Sequence, residues 1–230
     1  MEGILIGDSI VKYVSAERLG LKNHLTFSYP GAKTRDVEQN FKRLFGRHRC
    51  DTLKYVAVHC GTNDLGKFQP DEIVTMMASL LTFIEATVPS SCKLLVGQML
   101  PRNDCRFLDQ QRRMVNRKLK RFIKARNGKI FFFYTEGVFQ KSSARRLEAT
   151  SHFHGKEELL AKDGLHLSFG PGVSAFGSCL RRALKALSLV SHEAKGPPMR
   201  RFVRGPKQPV LRCSACNAKG HANRACASLG

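Results

Sequence analysis

The chain has 230 residues, of which 42% are hydrophobic, enough for one full domain and a small appendage. It contains no run of about 18 apolar residues, and its start lacks a basic region followed by an apolar stretch, so neither a transmembrane helix nor a secretory signal is expected. The 39 basic and 18 acidic residues give a net charge of +21, which favours nucleic acid or an anionic membrane surface as a partner. The expected location is the cytoplasm, the nucleus or both, where scattered cysteines remain reduced thiols.

Short apolar runs alternate with stretches of helical periodicity over most of the chain. This alternation predicts an α/β domain over residues 1–190, a three-layer α/β/α sandwich with a mainly parallel five-stranded sheet. The predicted strands are Ile4–Gly7, Leu25–Tyr29, Tyr55–His59, Lys93–Gln98 and Lys129–Tyr134. The predicted helices are Ile10–Leu19, Thr34–Phe45, Asp71–Thr87, Leu108–Arg126 and Val173–Leu189, with Thr34 and Asp71 as expected N-caps.

The predicted helix Leu108–Arg126 is amphipathic and strongly basic. Its apolar stripe consists of Leu108, Val115, Leu119, Phe122 and Ile123. Five basic side chains lie largely on the other side, namely Arg113, Arg117, Lys120, Arg121 and Lys124. Two interpretations remain open for this basic side: a solvated face or a site for a polyanion.

Three short strings bring together the groups that a serine hydrolase requires. Gly7-Asp8-Ser9 follows an apolar run and places a hydroxyl at a strand-to-turn position. Gly61-Thr62-Asn63-Asp64 places an amide just past a second strand, and Asp163-Gly164-Leu165-His166 supplies a carboxylate and an imidazole three residues apart. A serine hydroxyl needs a base and a group that orients the base, and the oxyanion formed on attack needs fixed donors. The three strings therefore predict a single catalytic site.

Together with Tyr29-Pro30-Gly31, these strings resemble, in order, the four motif blocks of the SGNH (GDSL) hydrolases, a family of esterases and lipases. The resemblance spans about residues 1–190 and implies the flavodoxin-like sandwich of that family. It also implies a substrate that is a carboxylic ester, either a lipid or an acetylated compound, and a reaction that needs no cofactor.

The resemblance assigns roles residue by residue. It implies that Ser9 is the nucleophile and His166 the general base. It implies that Asp163 orients the imidazole. The oxyanion hole would consist of the backbone N–H groups of Ser9 and Gly31 together with the side chain of Asn63.

The composition changes at residue 191. Residues 191–230 hold eight basic residues and one acidic residue, a net charge of +7. Residues 191–212 are rich in proline, glycine and basic side chains, which predicts a flexible linker. The basic residues expected to contact nucleic acid are Arg200, Arg201, Arg204, Lys207, Arg212, Lys219 and Arg224.

Residues 213–226 follow the spacing C-x2-C-x4-H-x4-C, with Cys213, Cys216, His221 and Cys226 as candidate ligands. Three thiolates and one imidazole complete a tetrahedral zinc shell without an open position, so the predicted Zn²⁺ is structural. The spacing resembles the CCHC zinc knuckle of retroviral and retrotransposon proteins, which implies binding to single-stranded RNA or DNA. Ser214 departs from that pattern, because an aromatic residue that stacks on a base is frequent at its position.

An SGNH domain followed by a knuckle resembles the esterase-containing first-open-reading-frame proteins of LINE-type retrotransposons. Two interpretations of function follow. In the first, the chain is an active serine esterase that also binds nucleic acid. In the second, it is a protein that binds RNA or single-stranded DNA, and its hydrolase fold is a scaffold without turnover.

Overall fold

The computed structural model describes residues 1–45, 51–126, 128–140 and 155–190. Within these ranges it has five strands: β1 Gly3–Gly7, β2 His24–Ser28, β3 Tyr55–His59, β4 Lys93–Gly97 and β5 Ile130–Phe133. They form one sheet in the order β2-β1-β3-β4-β5, and every neighbouring pair is parallel. The predicted α/β class and five-stranded sheet are confirmed, and the sheet is parallel throughout the described residues.

The central strands are buried along their whole length. All five residues of β1 and of β3 are buried, as expected for a parallel sheet that helices cover on both faces. Alternate side chains of β1 point to opposite faces, so Ile4 and Ile6 enter one core cluster and Leu5 enters another. The continuous apolar runs in the sequence are therefore explained by burial on both sides.

Six α-helices lie within the described ranges: α1 Ala16–Leu19, α2 Thr34–Phe45, α3 Pro70–Thr87, α4 Arg106–Lys124, α5 Glu136–Phe139 and α6 Pro171–Ala186. Side chains from α2, α3 and α4 pack on one face of the sheet, and side chains from α1 and α6 pack on the other. This arrangement is the predicted three-layer sandwich. Two short 3₁₀ turns, Ser9–Val11 and Thr62–Asp64, begin two and three residues after the ends of β1 and β3.

The structure corrects two details near helix starts. The single helix predicted for Ile10–Leu19 is instead the 3₁₀ turn and the short α1, because the Ser15 side chain accepts a hydrogen bond from the Arg18 N–H and starts a separate helix. Helix α3 begins at Pro70, with Gln69 rather than Asp71 as its N-cap. Proline suits the first helical position because its fixed φ is helical and its missing N–H would have no partner there.

The expected linker, residues 191–212, and the expected zinc knuckle, residues 213–226, lie outside the described residues. In the described ranges, none of the helices combines the length and the apolar character needed to cross a membrane.

Candidate active site

Ser9 stands two residues past the end of β1, at the edge of the sheet where the parallel strands end. The Asp8 backbone N–H donates to the His59 carbonyl oxygen at 3.3 Å, which keeps the chain beside β3 past the last residue of β1. The Asp8 side chain accepts a hydrogen bond from the Ile10 N–H at 3.0 Å and caps the turn that Ser9 begins. The Ser28 hydroxyl donates to the Asp8 carbonyl oxygen at 2.9 Å and ties the end of β2 to the same turn.

The structure brings Ser9, His166 and Asp163 into one hydrogen-bonded line. The Ser9 Oγ lies 2.9 Å from His166 Nε2, and His166 Nδ1 lies 2.6 Å from Asp163 Oδ2. The other carboxylate oxygen of Asp163 accepts the backbone N–H groups of Leu165 and His166 at 2.9 and 3.0 Å. Asp163 is therefore fixed by the same loop that carries the imidazole.

The loop that carries His166 is fixed to the segment after β4. The Asn103 backbone N–H donates to the Gly164 carbonyl oxygen at 2.7 Å, and the Asn103 side chain holds both the N–H and the carbonyl of Gly155. Gly164 has φ of +70°, and a Cβ there would lie 2.9 Å from the Asn103 carbonyl carbon. Both the backbone conformation and this close approach require glycine at that position.

The remaining predicted residues, Gly31 and Asn63, follow β2 and β3 at the same edge of the sheet. The Tyr29 N–H donates to the Gly7 carbonyl oxygen at 2.9 Å, so the chain turns towards Gly31 next to the end of β1. The Asn63 Nδ2 donates to the Ala32 carbonyl oxygen at 3.0 Å, which connects the two loops. Ser9, Gly31 and Asn63 thus lie on three neighbouring, hydrogen-bonded turns.

Three side chains that were not predicted to belong to the site, Asp64, Thr34 and Arg102, hold the Asn63 turn in place. The Asp64 Oδ2 accepts both the N–H and the hydroxyl of Thr34, at 2.9 and 2.7 Å, where α2 begins. The Arg102 guanidinium donates to the Thr62 carbonyl oxygen at 3.3 Å and forms a buried ion pair with Asp104. Asp64 stands inside the predicted Gly-Thr-Asn-Asp string, whereas Arg102 carries no sequence signal of its role.

The pairing of His166 with Asp163 shifts both pKa values in opposite directions. The hydrogen bond to Asp163 raises the pKa of His166, and this effect outweighs the partial burial of the ring. Partial burial alone would raise the pKa of Asp163, but the hydrogen bonds from His166 and the two backbone N–H groups lower it to about 2. The carboxylate is therefore ionised at neutral pH and favours a proton on His166 Nδ1.

Asp8 is a second carboxyl group close to the reacting atoms, and it is fully buried. Its Oδ2 has no hydrogen-bond partner among the described residues. Burial raises the pKa of Asp8 to about 7, against a smaller opposing contribution from the Ile10 N–H. The charge of Asp8, when present, raises the pKa of His166.

The predicted metal ligands Cys213, Cys216, His221 and Cys226 lie outside the described residues, as do the seven basic residues expected to contact nucleic acid. Within the described part of the chain, the His, Cys, Asp and Glu side chains form no cluster of three or more that could hold a metal ion.

No protein-family model and no curated protein matches the chain. Several solved structures do match its fold. A GDSL-like lipase from Bacteroides thetaiotaomicron VPI-5482 superposes with a TM-score of 0.65 at 16% identity, covering 81% of this chain and 88% of the lipase. A putative platelet activating factor from Streptococcus pneumonia has a TM-score of 0.64 at 19% identity, covering 80% of this chain and 85% of that one.

A carbohydrate esterase family 3 protein from Talaromyces cellulolyticus is similar as well, with a TM-score of 0.59 at 16% identity. The match covers 83% of this chain and 100% of the esterase. These likenesses show a shared fold at low sequence identity. The chain therefore has the SGNH hydrolase fold that its four motif blocks predict.

Proposed function

We propose that the chain is a serine hydrolase of carboxylic esters that acts through an acyl-enzyme. One observation carries this proposal: two hydrogen bonds connect the Ser9 hydroxyl to the His166 ring and the ring to Asp163. The fold adds support, because lipases and a carbohydrate esterase share it. Fold alone would be compatible with many chemistries, so the site geometry is the stronger argument.

The proposed reaction begins with attack of Ser9 Oγ on the ester carbonyl carbon while His166 Nε2 takes the hydroxyl proton. Asp163 keeps the second ring proton on Nδ1 and stabilises the imidazolium ion that forms. The tetrahedral intermediate collapses, and the leaving alcohol takes the proton from Nε2. Water then attacks the acyl-enzyme with His166 as the base, and the carboxylic acid and free Ser9 are released.

The oxyanion of the intermediate would bind to the backbone N–H groups of Ser9 and Gly31 and to the Asn63 side chain. An amide nitrogen carries two hydrogens, and the hydrogen bond to Ala32 uses only one of those on Asn63 Nδ2. The second remains to donate to the oxyanion. Fixed donors of this kind each contribute about 10²- to 10³-fold to turnover.

The hydrolysis of a short-chain aryl ester tests this proposal. Ser9→Ala should lower kcat/KM by roughly 10³-fold or more, because the nucleophile is removed while the fold is retained. Ser178→Ala is a matched control, since this serine lies on α6 and its hydroxyl donates only within that helix, to the Ser174 carbonyl oxygen. Equal rates in wild type and Ser9→Ala would refute the proposal.

We further propose that residues 213–226 bind one Zn²⁺ and, with the basic linker, bind single-stranded RNA or DNA. The C-x2-C-x4-H-x4-C spacing and the net charge of +7 over residues 191–230 support this part of the proposal. The combination of an SGNH fold with this spacing also supports descent from a LINE-type first open reading frame.

The alternative is a nucleic-acid-binding protein whose hydrolase fold has no turnover. The net charge of +21 fits both functions, because each of them includes binding to nucleic acid. The hydrogen bonds from Ser9 through His166 to Asp163 favour the active esterase. The aryl ester assay separates the two, since a scaffold would give the same background rate in wild type and Ser9→Ala.

A further inference from the structure

The basic residues of the folded domain are concentrated on and around α4. Residues 106–129 contain ten basic residues and a single acidic residue, Asp109. Asp109 is buried and pairs with both Arg112 and Arg113, but its single negative charge offsets only one of the ten positive charges. The solvent side of this segment therefore presents positive charge without an exposed acidic residue of its own.

Four exposed cations of α4 have no acidic partner within 4 Å among the described residues: Arg106, Arg117, Lys120 and Arg121. Lys124 extends the same row by one turn and is also unpaired there. An acidic residue three or four positions away on the helix would be close enough to pair with such a cation. Among the described residues this row has no such partner, so its residues repel one another until a polyanion or counterions neutralise them.

An exposed aromatic ring borders this row of cations. Tyr134 follows β5 directly, and 52% of its surface is exposed. The Lys120 Nζ lies 4.9 Å from the centre of its ring, and Phe132 packs edge-on against it at 5.2 Å between ring centroids. The ring is therefore held in place from two sides and remains open to solvent.

We propose that the outer side of α4 together with Tyr134, hereafter the α4 surface, binds single-stranded nucleic acid. Cations along the helix would contact successive phosphates, and the Tyr134 ring would stack on an unpaired base. Duplex is disfavoured as the ligand, because its bases are already stacked and leave the ring without a partner. This proposal concerns the folded domain and does not depend on ester hydrolysis or on the zinc knuckle.

An anionic membrane is the competing partner, and the packing of α4 argues against it. A helix that lies in a membrane interface inserts an apolar face. The apolar stripe of α4 is already used in the core, where Val115 and Leu119 are fully buried and Ile123 is 5% exposed. The exposed side also carries Phe107 and Met114, but its five unpaired cations outnumber these two apolar side chains, which suits phosphates in solution better than acyl chains.

The test is titration of the full-length protein with labelled single-stranded RNA at several salt concentrations. Arg117→Glu with Lys124→Glu should weaken binding by about 10-fold or more. The slope of log K against log salt should also become shallower, by roughly 0.7 for each phosphate that the variant no longer binds. The control, Lys22→Glu with Arg182→Glu, makes the same change of charge at exposed positions away from α4 and should have little effect. Equally weakened binding in both double variants would mean that only net charge matters and would overturn the proposal.

Photo-cross-linking locates the RNA on the protein even if the tail dominates the affinity. RNA that contains 4-thiouridine should cross-link to peptides of α4 or to the peptide with Tyr134. Tyr134→Phe should keep this cross-link and Tyr134→Leu should reduce it, because only the aromatic ring can stack. Cross-links confined to residues 191–230 would overturn the proposal. It would also be overturned if charge reversal on α4 abolished binding to phosphatidylserine vesicles and left RNA binding intact. Ester hydrolysis should be unchanged in these variants, so this proposal and the proposed hydrolase activity can fail independently.

Discussion

At the scale of single residues, the charge of His166 decides whether the site can act as a base. Its hydrogen bond with Asp163 raises its pKa above the ordinary 6.5. Only the neutral ring can accept the proton of Ser9. We therefore expect kcat/KM for an aryl ester to rise with pH and to level off above an inflection that lies higher than 6.5. Activity that falls as the pH rises through this region would contradict the assigned role.

Variants of the two neighbouring carboxyl groups check the cause of this inflection. Asp8→Asn should move the inflection to lower pH, because the Asp8 charge raises the pKa of His166. Asp163→Asn should move the inflection to still lower pH, since the hydrogen bond to Asp163 is the largest cause of the raised pKa of His166. It should also reduce activity strongly. Glu17→Gln is the control, because this exposed carboxyl group lies on α1 and makes no contact with the ring. Its inflection should match that of the wild type.

The contents of the site could be predicted from the sequence better than its geometry. The hydrogen bond between Asp163 and His166 can be predicted from the sequence, because a spacing of three residues lets the carboxylate reach the ring. The contact of that ring with Ser9 spans 157 residues of sequence. It depends on Asn103, which holds the loop at Gly155 and Gly164 and carries no local sequence signal.

At the scale of elements, the start of α2 is joined to the turn that carries Asn63. The hydroxyl and the N–H of Thr34 both donate to the buried carboxylate of Asp64. Thr34→Val should lower the free energy of unfolding by about 1–3 kcal/mol, because it removes one of these donors from a buried acceptor. Thr75→Val on the exposed side of α3 should change it by less than about 0.5 kcal/mol. Urea denaturation of both variants measures the difference, and equal effects would show that the link is unimportant.

The regular elements were predictable where one physical signal dominated. The bounds predicted for β3 and α2 match the structure, since a continuous apolar run and a clear helical period define them. The helix predicted from Ile10 to Leu19 failed. Its apolar residues have helical spacing, but the Ser15 cap and the left-handed Gly20 confine regular α-helix to α1. Local hydrogen bonds of this kind compete with periodicity and are hard to weigh from sequence.

At the scale of the whole molecule, the proposed hydrolase site and the expected zinc knuckle should act independently. We expect purified protein to contain about one zinc per molecule, held by Cys213, Cys216, His221 and Cys226. Cys216→Ser should release the zinc and leave ester hydrolysis unchanged. Metal analysis of protein prepared without chelator provides the check. Absence of zinc from the wild type would refute the predicted knuckle.

Covalent labelling by an organophosphonate shows whether His166 activates the Ser9 hydroxyl, because such a reagent needs a serine that a neighbouring base activates. Peptide mass spectrometry should find the adduct on Ser9 in the wild type. His166→Ala should slow labelling by about 10²-fold or more, because the base is removed. No adduct on Ser9, or an adduct that forms equally fast without His166, would contradict the proposed activation of Ser9 and leave the fold as a scaffold.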